Sequence, residues 1–144
     1  MVSSSAPPSR SGGDHLLTNL PPRSARNTVG MCFFLRYDDP KMVEIVNAVT
    51  GWGVTTDDLQ DVGDRSLALA RLFNEREGFG AQDDRLPEQV MRPHASGVLS
   101  KVRLDPDDLA AQVRAYYAAR GWDEQGHPTP ATLERLRITD YAPA

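Results

Sequence analysis

Cys32 is the residue whose type most directly offers chemistry, because it is the single cysteine of this 144-residue chain. It lies in the stretch NTVGMCFF, residues 27–34. A free cysteine among apolar neighbours is most often a small, unreactive core residue. A thiolate can also act as a nucleophile or as the ligand of a soft metal. The residue types around Cys32 leave all three roles open.

The histidines and carboxylates offer no comparable candidate. His15, His94 and His127 are isolated, so none has a second ligand at the spacing that zinc sites use. Asp83 and Asp84 could be an acid–base pair, but adjacent loop carboxylates usually cap a turn or face solvent. The glycine-containing stretches SGGD and GFGA lack the lysine and hydroxyl residue of a phosphate loop. We therefore expect neither a zinc site nor a phosphate loop.

Composition narrows the classes of partner. The chain has 16 basic and 20 acidic residues and a net charge of −4, so electrostatics give no reason to expect nucleic acid or an anionic membrane as partner. No apolar run approaches the roughly 20 residues of a membrane span. The first residues lack the continuous apolar core of a secretory signal, and one cysteine forms no internal disulfide. We expect a cytoplasmic protein with one domain.

The distribution of residue types predicts a leader followed by an all-α domain. Residues 1–26 are rich in Ser, Pro, Gly and Arg, a composition typical of a disordered segment. Capping residues followed by apolar positions at helical spacing predict a helical domain over residues 27–144. The VLSKVRL stretch is the one candidate for a short strand. The predicted helices are 40–50, 57–77, 106–120 and 130–136, with one further turn at PEQVM.

The same pattern predicts the helix starts and the buried faces. The expected caps are Asp39 before Pro40, Thr55 or Thr56, Asp105 before Pro106, and Thr129 before Pro130. The predicted buried positions are Met42, Ile45, Val46 and Val49 in the first helix, Leu59, Val62, Leu69, Ala70 and Phe73 in the second, and Leu109, Val113, Tyr116 and Tyr117 in the third.

Four sequence words occur in a fixed order along the chain. They are NAVTGW (47–52), RSLALARLFNEREGF (65–79), DDRLPE (83–88) and YYAARGWDEQGHPTPATLERL (116–136). Each word alone fits a local structural role, such as a helix end followed by a turn. Together, and in this order, they resemble the C-terminal portion of the aldehyde ferredoxin oxidoreductase family, the tungsten–pterin enzymes.

The resemblance implies a role for the stretch around Cys32. In the family, a cysteine at this place is the fourth ligand of a 4Fe-4S iron–sulfur cluster, which makes Cys32 the expected metal ligand. Asn27 stands where the family usually has an aspartate that contacts the pterin. Asn27, Met31 and Cys32 are therefore the expected cofactor-binding residues. The implied reaction is oxidation of an aldehyde to a carboxylate at a tungsten-pterin, with electrons leaving through the cluster to ferredoxin.

The chain departs from the family in what it lacks. The tungstopterin-binding N-terminal domain and three further cysteines are not in this sequence. We therefore expect the isolated chain to be inactive, to bind no stoichiometric cluster, and to need the missing domain as a partner. An alternative interpretation is a non-catalytic small helical interaction module, derived from the same fold, with Cys32 as a core residue.

Two expectations distinguish these interpretations. If Cys32 is a cluster ligand, it should be exposed, with hydrogen-bond donors nearby from Asn27, Thr28 and the backbone around Gly30. If the missing domain covers this one, the aromatic residues of the four words should form one apolar docking surface. Those residues are Trp52, Phe73, Phe79 and Trp122.

Overall fold

The computed structural model describes residues 24–32, 34–35, 37–93, 95–97, 100 and 104–142. The regular elements are α1 (Asp39–Thr50), α2 (Thr56–Arg76), α3 (Glu88–Met91), α4 (Pro106–Arg120) and α5 (Pro130–Arg135), with 3-10 turns at Ala81–Asp83 and Thr139–Tyr141. Residues 24–28 are also helical. Within the described ranges the extended structure is one isolated bridge between Trp122 and Pro128. The all-α class is confirmed. Each predicted helix begins and ends within one residue of the observed helix.

Helix α2 is the central element, because each half of it belongs to a different small core. Near its start, Leu59 packs with Ala25 and Met42. Further along, Ala68 and Leu72 pack with the C-terminal segment. The residues of that segment are Leu133, Leu136 and Ile138. The described part of the fold is therefore two apolar clusters on one helix.

Polar contacts hold the C-terminal helices against α2. Asp64 in α2 accepts from Arg120 of α4 at 2.6 Å and from Arg135 of α5 at 3.3 Å. Arg65 donates from Nε to the carbonyl of Leu136 at 2.7 Å. The partners in these contacts lie far apart in sequence, so the contacts fix the packing of three helices.

No helix in the described ranges is long and apolar enough to cross a membrane.

The ordered chain begins before residue 27. Ala25 is 1% exposed and belongs to the core, and Arg26 donates to the carbonyl of Tyr37 at 2.5 Å. Residues 24–26 were expected to belong to the disordered leader, and this expectation is wrong for those three residues. The remainder of the predicted leader, residues 1–23, lies outside the described residues, as does most of VLSKVRL.

The helix starts follow the capping rules with one correction. Asp38, not Asp39, caps α1, because its side chain accepts from the amide of Lys41 at 2.9 Å. Thr55 caps α2 in a capping box with Asp58. Asp105 and Thr129 cap α4 and α5 as predicted. Asp38 has the extended backbone of a capping residue, whereas Asp39 is already helical, and residue type alone does not show this difference.

Some predicted core positions are exposed. Val49 is 82% exposed and Phe73 is 57% exposed, while Ala70 also faces solvent. The buried face of α2 consists of Leu59, Gly63, Ala68, Arg71 and Leu72. The prediction erred because it counted apolar residues alone. Gly63 and Arg71 lie on the buried face of α2. A pattern of apolar residues alone therefore points to a neighbouring face of the helix.

The connection between α1 and α2 is fixed by one side chain. The amide of Asn47 donates from Nδ2 to the carbonyl of Val54 at 2.9 Å and accepts at Oδ1 from the amide of Val54 at 2.7 Å. Gly51 and Gly53 both have φ of +71°, a region that disfavours side chains. The loop therefore has one defined geometry, and it presents Trp52 with 76% of its surface exposed.

We predict that Asn47→Ala lowers the free energy of unfolding by about 1–3 kcal/mol, because it leaves both polar groups of Val54 without this partner. Urea denaturation followed by circular dichroism measures the change. Gln60→Ala is the matched control, since Gln60 is an exposed amide on α2 and should change stability by less than about 0.5 kcal/mol. Equal effects of the two substitutions would contradict the assigned role of Asn47.

Candidate functional site

The segment before Cys32 ends a short helix in a defined cap. The amide of Met31 donates to the carbonyl of Arg26 at 2.9 Å, and the amide of Gly30 donates to that of Asn27 at 3.1 Å. Gly30 has φ of +74°. This pair of bonds around a left-handed glycine is a Schellman motif. The glycine in NTVGMC is therefore required by the backbone, whatever the segment binds.

Met31 is held by the apolar contact that accompanies such a cap. Its side chain is half-buried and packs against the cluster of Ala25, Met42 and Leu59. A contact between the residue after the glycine and the last helical turn is usual in this motif. Arg26 adds a polar attachment, with Nε 3.1 Å from Sδ of Met42. The segment is thereby anchored on α1 and α2.

Cys32 follows this anchored residue and is exposed. The expected exposure of Cys32 is therefore observed. Asn27 is also exposed, whereas Met31 turns its side chain into the core. The structure thus places the three expected cofactor residues within one capped segment, with two of them at the surface. A packing role for Cys32 finds no support in this arrangement, because core cysteines are among the most buried residues.

The expected hydrogen-bond donors around Cys32 are largely engaged elsewhere. The amides of Gly30 and Met31 donate within the cap, and the Thr28 hydroxyl donates to the carbonyl of Ser24 at 2.9 Å. The expectation that these groups would serve the thiolate is therefore wrong. They were predicted from sequence proximity, which does not reveal that the cap already uses them. The exposed side chain of Asn27 is the remaining member of that set.

The described residues offer a single thiolate as a metal ligand. No group of three or more His, Cys, Asp or Glu side chains in them could hold a metal ion. A cubane cluster needs four ligands, usually thiolates. Cys32 could hold an iron–sulfur cluster only together with ligands from outside the described residues. Its exposure is compatible with that use.

A second constellation surrounds Arg71, which is 6% exposed on α2. Its Nη1 lies 2.7 Å from Oδ2 of Asp84, and its Nε lies 3.2 Å from Oε1 of Glu75. Its Nη2 donates to the carbonyl of Gln125 at 3.2 Å. The Tyr117 hydroxyl donates a short hydrogen bond to the same oxygen of Asp84. We call Arg71, Glu75, Asp84 and Tyr117 the Arg71 network.

Burial and charge shift the acid–base properties of this network. Burial, together with the hydrogen bond to Asp84, raises the pKa of Tyr117 to about 12. The phenol therefore stays neutral and donates at physiological pH. Burial acts to lower the pKa of Arg71, but the hydrogen bond and charge of Asp84 outweigh it and the pKa is raised. Both groups keep the protonation states that the network needs.

Aromatic rings enclose the guanidinium of Arg71. Its Cζ lies 5.7 Å from the Tyr117 ring centroid and 5.8 Å from that of Trp122. Trp122 also meets Tyr116 edge-on, with centroids 5.8 Å apart. These distances allow cation–π attraction. The second and fourth sequence words therefore meet at one buried cation.

The expectation that Asp83 and Asp84 cap a turn or face solvent is confirmed for Asp83 and wrong for Asp84. Asp83 caps a turn, as expected, and accepts from the amide of Gly80 at 2.9 Å. Asp84, which was expected to cap or to be solvated, instead pairs with a buried cation. The missed signal was Arg71, whose position next to Leu72 lies on the core side of α2. A buried arginine requires an acidic partner.

The expected single aromatic docking surface is absent from the described residues. Trp52, Phe73 and Phe79 are exposed, but Trp122 is half-buried in the aromatic cluster. Trp52 precedes α2, whereas Phe73 lies 17 residues after its first residue. At 1.5 Å per residue, that separation is about 25 Å along the helix. Trp52 and Phe73 therefore belong to distinct surfaces.

Comparison with known proteins identifies the class of this helical, one-cysteine chain. The family profile described as "Aldehyde ferredoxin oxidoreductase, domains 2 & 3" matches residues 20–138. The chain belongs to that family, and it corresponds to a C-terminal portion.

Individual relatives agree with this assignment. The chain is 32% identical to a tungsten-containing aldehyde ferredoxin oxidoreductase of Pyrococcus furiosus and 29% identical to one of Thermococcus kodakarensis. Each alignment covers 80% of this chain and 19% of the relative. An aliphatic sulfonate oxidoreductase, WOR-like subunit, of Pyrococcus furiosus is 29% identical over 88% of the chain and 23% of that relative. The chain thus spans about a fifth of the length of these relatives.

We predict that Cys32 reacts rapidly with a thiol reagent in the native chain, because its side chain is exposed. Stoichiometric labelling by a chromogenic disulfide, without denaturant, is the expected result. The matched measurement in denaturant gives the rate of the fully accessible thiol. Labelling that requires unfolding would show that Cys32 is a core residue.

We predict that Asp84→Asn lowers the free energy of unfolding by about 2 kcal/mol. It removes the charge that faces buried Arg71, although Glu75 remains and Asp84 is partly solvated. The adjacent Asp83→Asn is the control and should cost about 0.5–1 kcal/mol, since Asp83 caps a surface turn. Thermal or urea unfolding compares them. A larger loss for Asp83→Asn would refute the assignment of Asp84 to the network.

Proposed function

We propose that this chain supplies the C-terminal part of an aldehyde ferredoxin oxidoreductase-type site, in which Cys32 is one ligand of an iron–sulfur cluster. The observation that carries the proposal is the exposed thiol of Cys32 at the end of a capped, core-anchored segment. Membership of the family supports it, because two of the relatives are named as tungsten-containing aldehyde ferredoxin oxidoreductases. The remaining ligands and the tungstopterin domain would come from outside the 144 residues.

The three residues of the segment would contribute differently. Cys32 would offer its thiolate. The cap around Gly30 fixes the backbone that leads into Cys32. Asn27 would offer an uncharged amide that both donates and accepts hydrogen bonds towards a pterin. Met31 would act by packing, because its side chain faces the core cluster and so holds Cys32 at the surface.

The cluster, when bound, would carry electrons one at a time towards ferredoxin. The part of this chain would be to complete the ligand set, to orient the thiolate and to shield the cofactors from water. Oxidation of an aldehyde to a carboxylate would take place on the missing domain's side of the site. Because one relative is named as an aliphatic sulfonate oxidoreductase, the donor substrate of this chain is left unspecified within the family.

We predict that the isolated chain binds no stoichiometric cluster after anaerobic reconstitution and oxidises no aldehyde, because it has one thiolate where about four ligands are needed. In a chimera, residues 20–138 would replace the matching segment of the Pyrococcus furiosus aldehyde ferredoxin oxidoreductase. That chimera should contain a cluster, and Cys32→Ser should deplete its iron or change its electron paramagnetic resonance spectrum. Asn27→Asp is the matched control, because it restores the family residue and keeps the thiol.

Two results would count against the proposal. About four irons bound to the isolated monomer would mean that the chain holds a cluster by itself. An unchanged resonance spectrum in the Cys32→Ser chimera would mean that Cys32 is no ligand. The second result would favour the alternative, a non-catalytic helical interaction module. The single cysteine and the exposed Trp52 are the observations in favour of that alternative.

A further inference from the structure

The segment that carries Cys32 is a loop whose two ends are joined by one side chain. The loop leaves the short helix of residues 24–28 and ends at Asp38, the cap of α1. Tyr37 is eleven positions after Arg26, yet Nη2 of Arg26 donates to the carbonyl of Tyr37 at 2.5 Å. Cys32 lies about midway between these two residues. The guanidinium of Arg26 therefore closes the loop that carries the thiol.

The other contacts of Arg26 attach the closed loop to the core. Its Nε donates to Sδ of Met42 at 3.1 Å, and its Nη2 lies 3.5 Å from Oδ1 of Asp39. Met42 is 1% exposed, so the guanidinium reaches a buried side chain of α1. The backbone carbonyl of Arg26 accepts from the amide of Met31, in the cap before Cys32. Arg26 therefore contacts the cap, the far end of the loop and α1.

The described residues after Cys32 are held little by burial. Met31 packs on the core in the first half of the loop. In the second half, Phe34 is 89% exposed, Leu35 is 48% exposed and Tyr37 is 39% exposed. The hydrogen bond from Arg26 to the carbonyl of Tyr37 is thus a main described attachment of this half. Such a bond from a charged donor is stronger than one between neutral groups.

The position of the thiol depends on this backbone. The carbonyl of Cys32 accepts from the amide of Leu35 at 3.1 Å, and the amide of Met31 is bonded on the other side. The side chain of Cys32 is exposed, so core packing does not fix its sulfur. A change that opens the loop at Tyr37 would therefore free the thiol to move.

We propose that Arg26 is a positioning residue for Cys32, because its guanidinium closes the loop and so holds the thiol in one place. The proposal rests on the proposed cluster function for what the thiol is positioned to do. A ligand that is already held loses less conformational freedom on binding than one on an open loop. Arg26 would therefore favour completion of a ligand set that is supplied from outside this chain.

The single cysteine allows a direct test, because a nitroxide attached to Cys32 labels one known, exposed position. The electron paramagnetic resonance spectrum of the labelled 144-residue chain reports the mobility of the loop. In Arg26→Gln, the rotational correlation time of the label should fall by about 2-fold, because the second end of the loop is released. Circular dichroism and urea unfolding of each variant measure the fold and its stability separately.

Asn47→Ala is the matched control, because it removes two hydrogen bonds of the α1–α2 connection and makes no change in the loop. It should lower stability and leave the label spectrum unchanged. Arg26→Lys keeps the charge and one donor group, so its label should have a mobility between those of the wild type and Arg26→Gln. If Arg26→Gln does not fold, Arg26→Lys compared with Asn47→Ala decides the question.

The chimera described above tests the consequence for a cluster. Arg26→Gln should lower its iron content by about 2-fold or broaden the resonance of the cluster, since the fourth ligand is less well held. Asn47→Ala should do neither.

An unchanged label spectrum in Arg26→Gln would overturn the proposal. Equal gains in mobility in Arg26→Gln and Asn47→Ala would also overturn it, because Arg26 would then add only overall stability. A chimera whose cluster responds to Cys32→Ser but not to Arg26→Gln would overturn it as well. If Cys32→Ser leaves the cluster unchanged, the proposed function fails instead, and the label on the 144-residue chain still decides whether Arg26 holds residue 32.

Discussion

The burial of Arg71 is the constraint on which much of the structure depends. A guanidinium that is 6% exposed is strongly destabilising unless its charge and its N–H groups are matched. Three segments must therefore converge on it, namely Glu75 one turn later in α2, Asp84 from the following loop and the carbonyl of Gln125 from the turn after α4. The apolar clusters on α2 are small, so this convergence supplies positional information that hydrophobic burial alone would not give.

The same constraint accounts for residues that looked like a family signature. Gly126 has φ of +79°, and a Cβ there would lie 2.8 Å from Cζ of Tyr117 and in collision with the guanidinium of Arg71. Only glycine fits. The turn that carries it is closed by Asp123, whose Oδ1 accepts from the amides of Gln125 and His127, both at 2.9 Å. Asp84 in DDRLPE and Gly126 in the last word are thus explained by packing around one cation.

The helices could be predicted from the sequence because their causes are local. Caps such as Thr55 and Thr129, and stops such as Gly121, act within a few residues of themselves. The core could be predicted only in part, because Arg71 is polar yet buried, and Phe73 is apolar yet exposed. Which of these faces the interior depends on partners tens of residues away, such as Asp84. For the site, sequence order indicated the exposed Cys32, but not that the nearby donors were engaged in the cap.

The segment before Cys32 and the Arg71 network pack against different parts of α2 and meet different structural requirements. Leu59, which packs with the segment before Cys32, is 12 residues from Arg71, or about 18 Å along the helix. In the cysteine segment, the cap requires Gly30 and the core contact accounts for Met31. Neither requirement extends to an exposed thiol at the next position. The described fold therefore does not determine which residue stands at position 32.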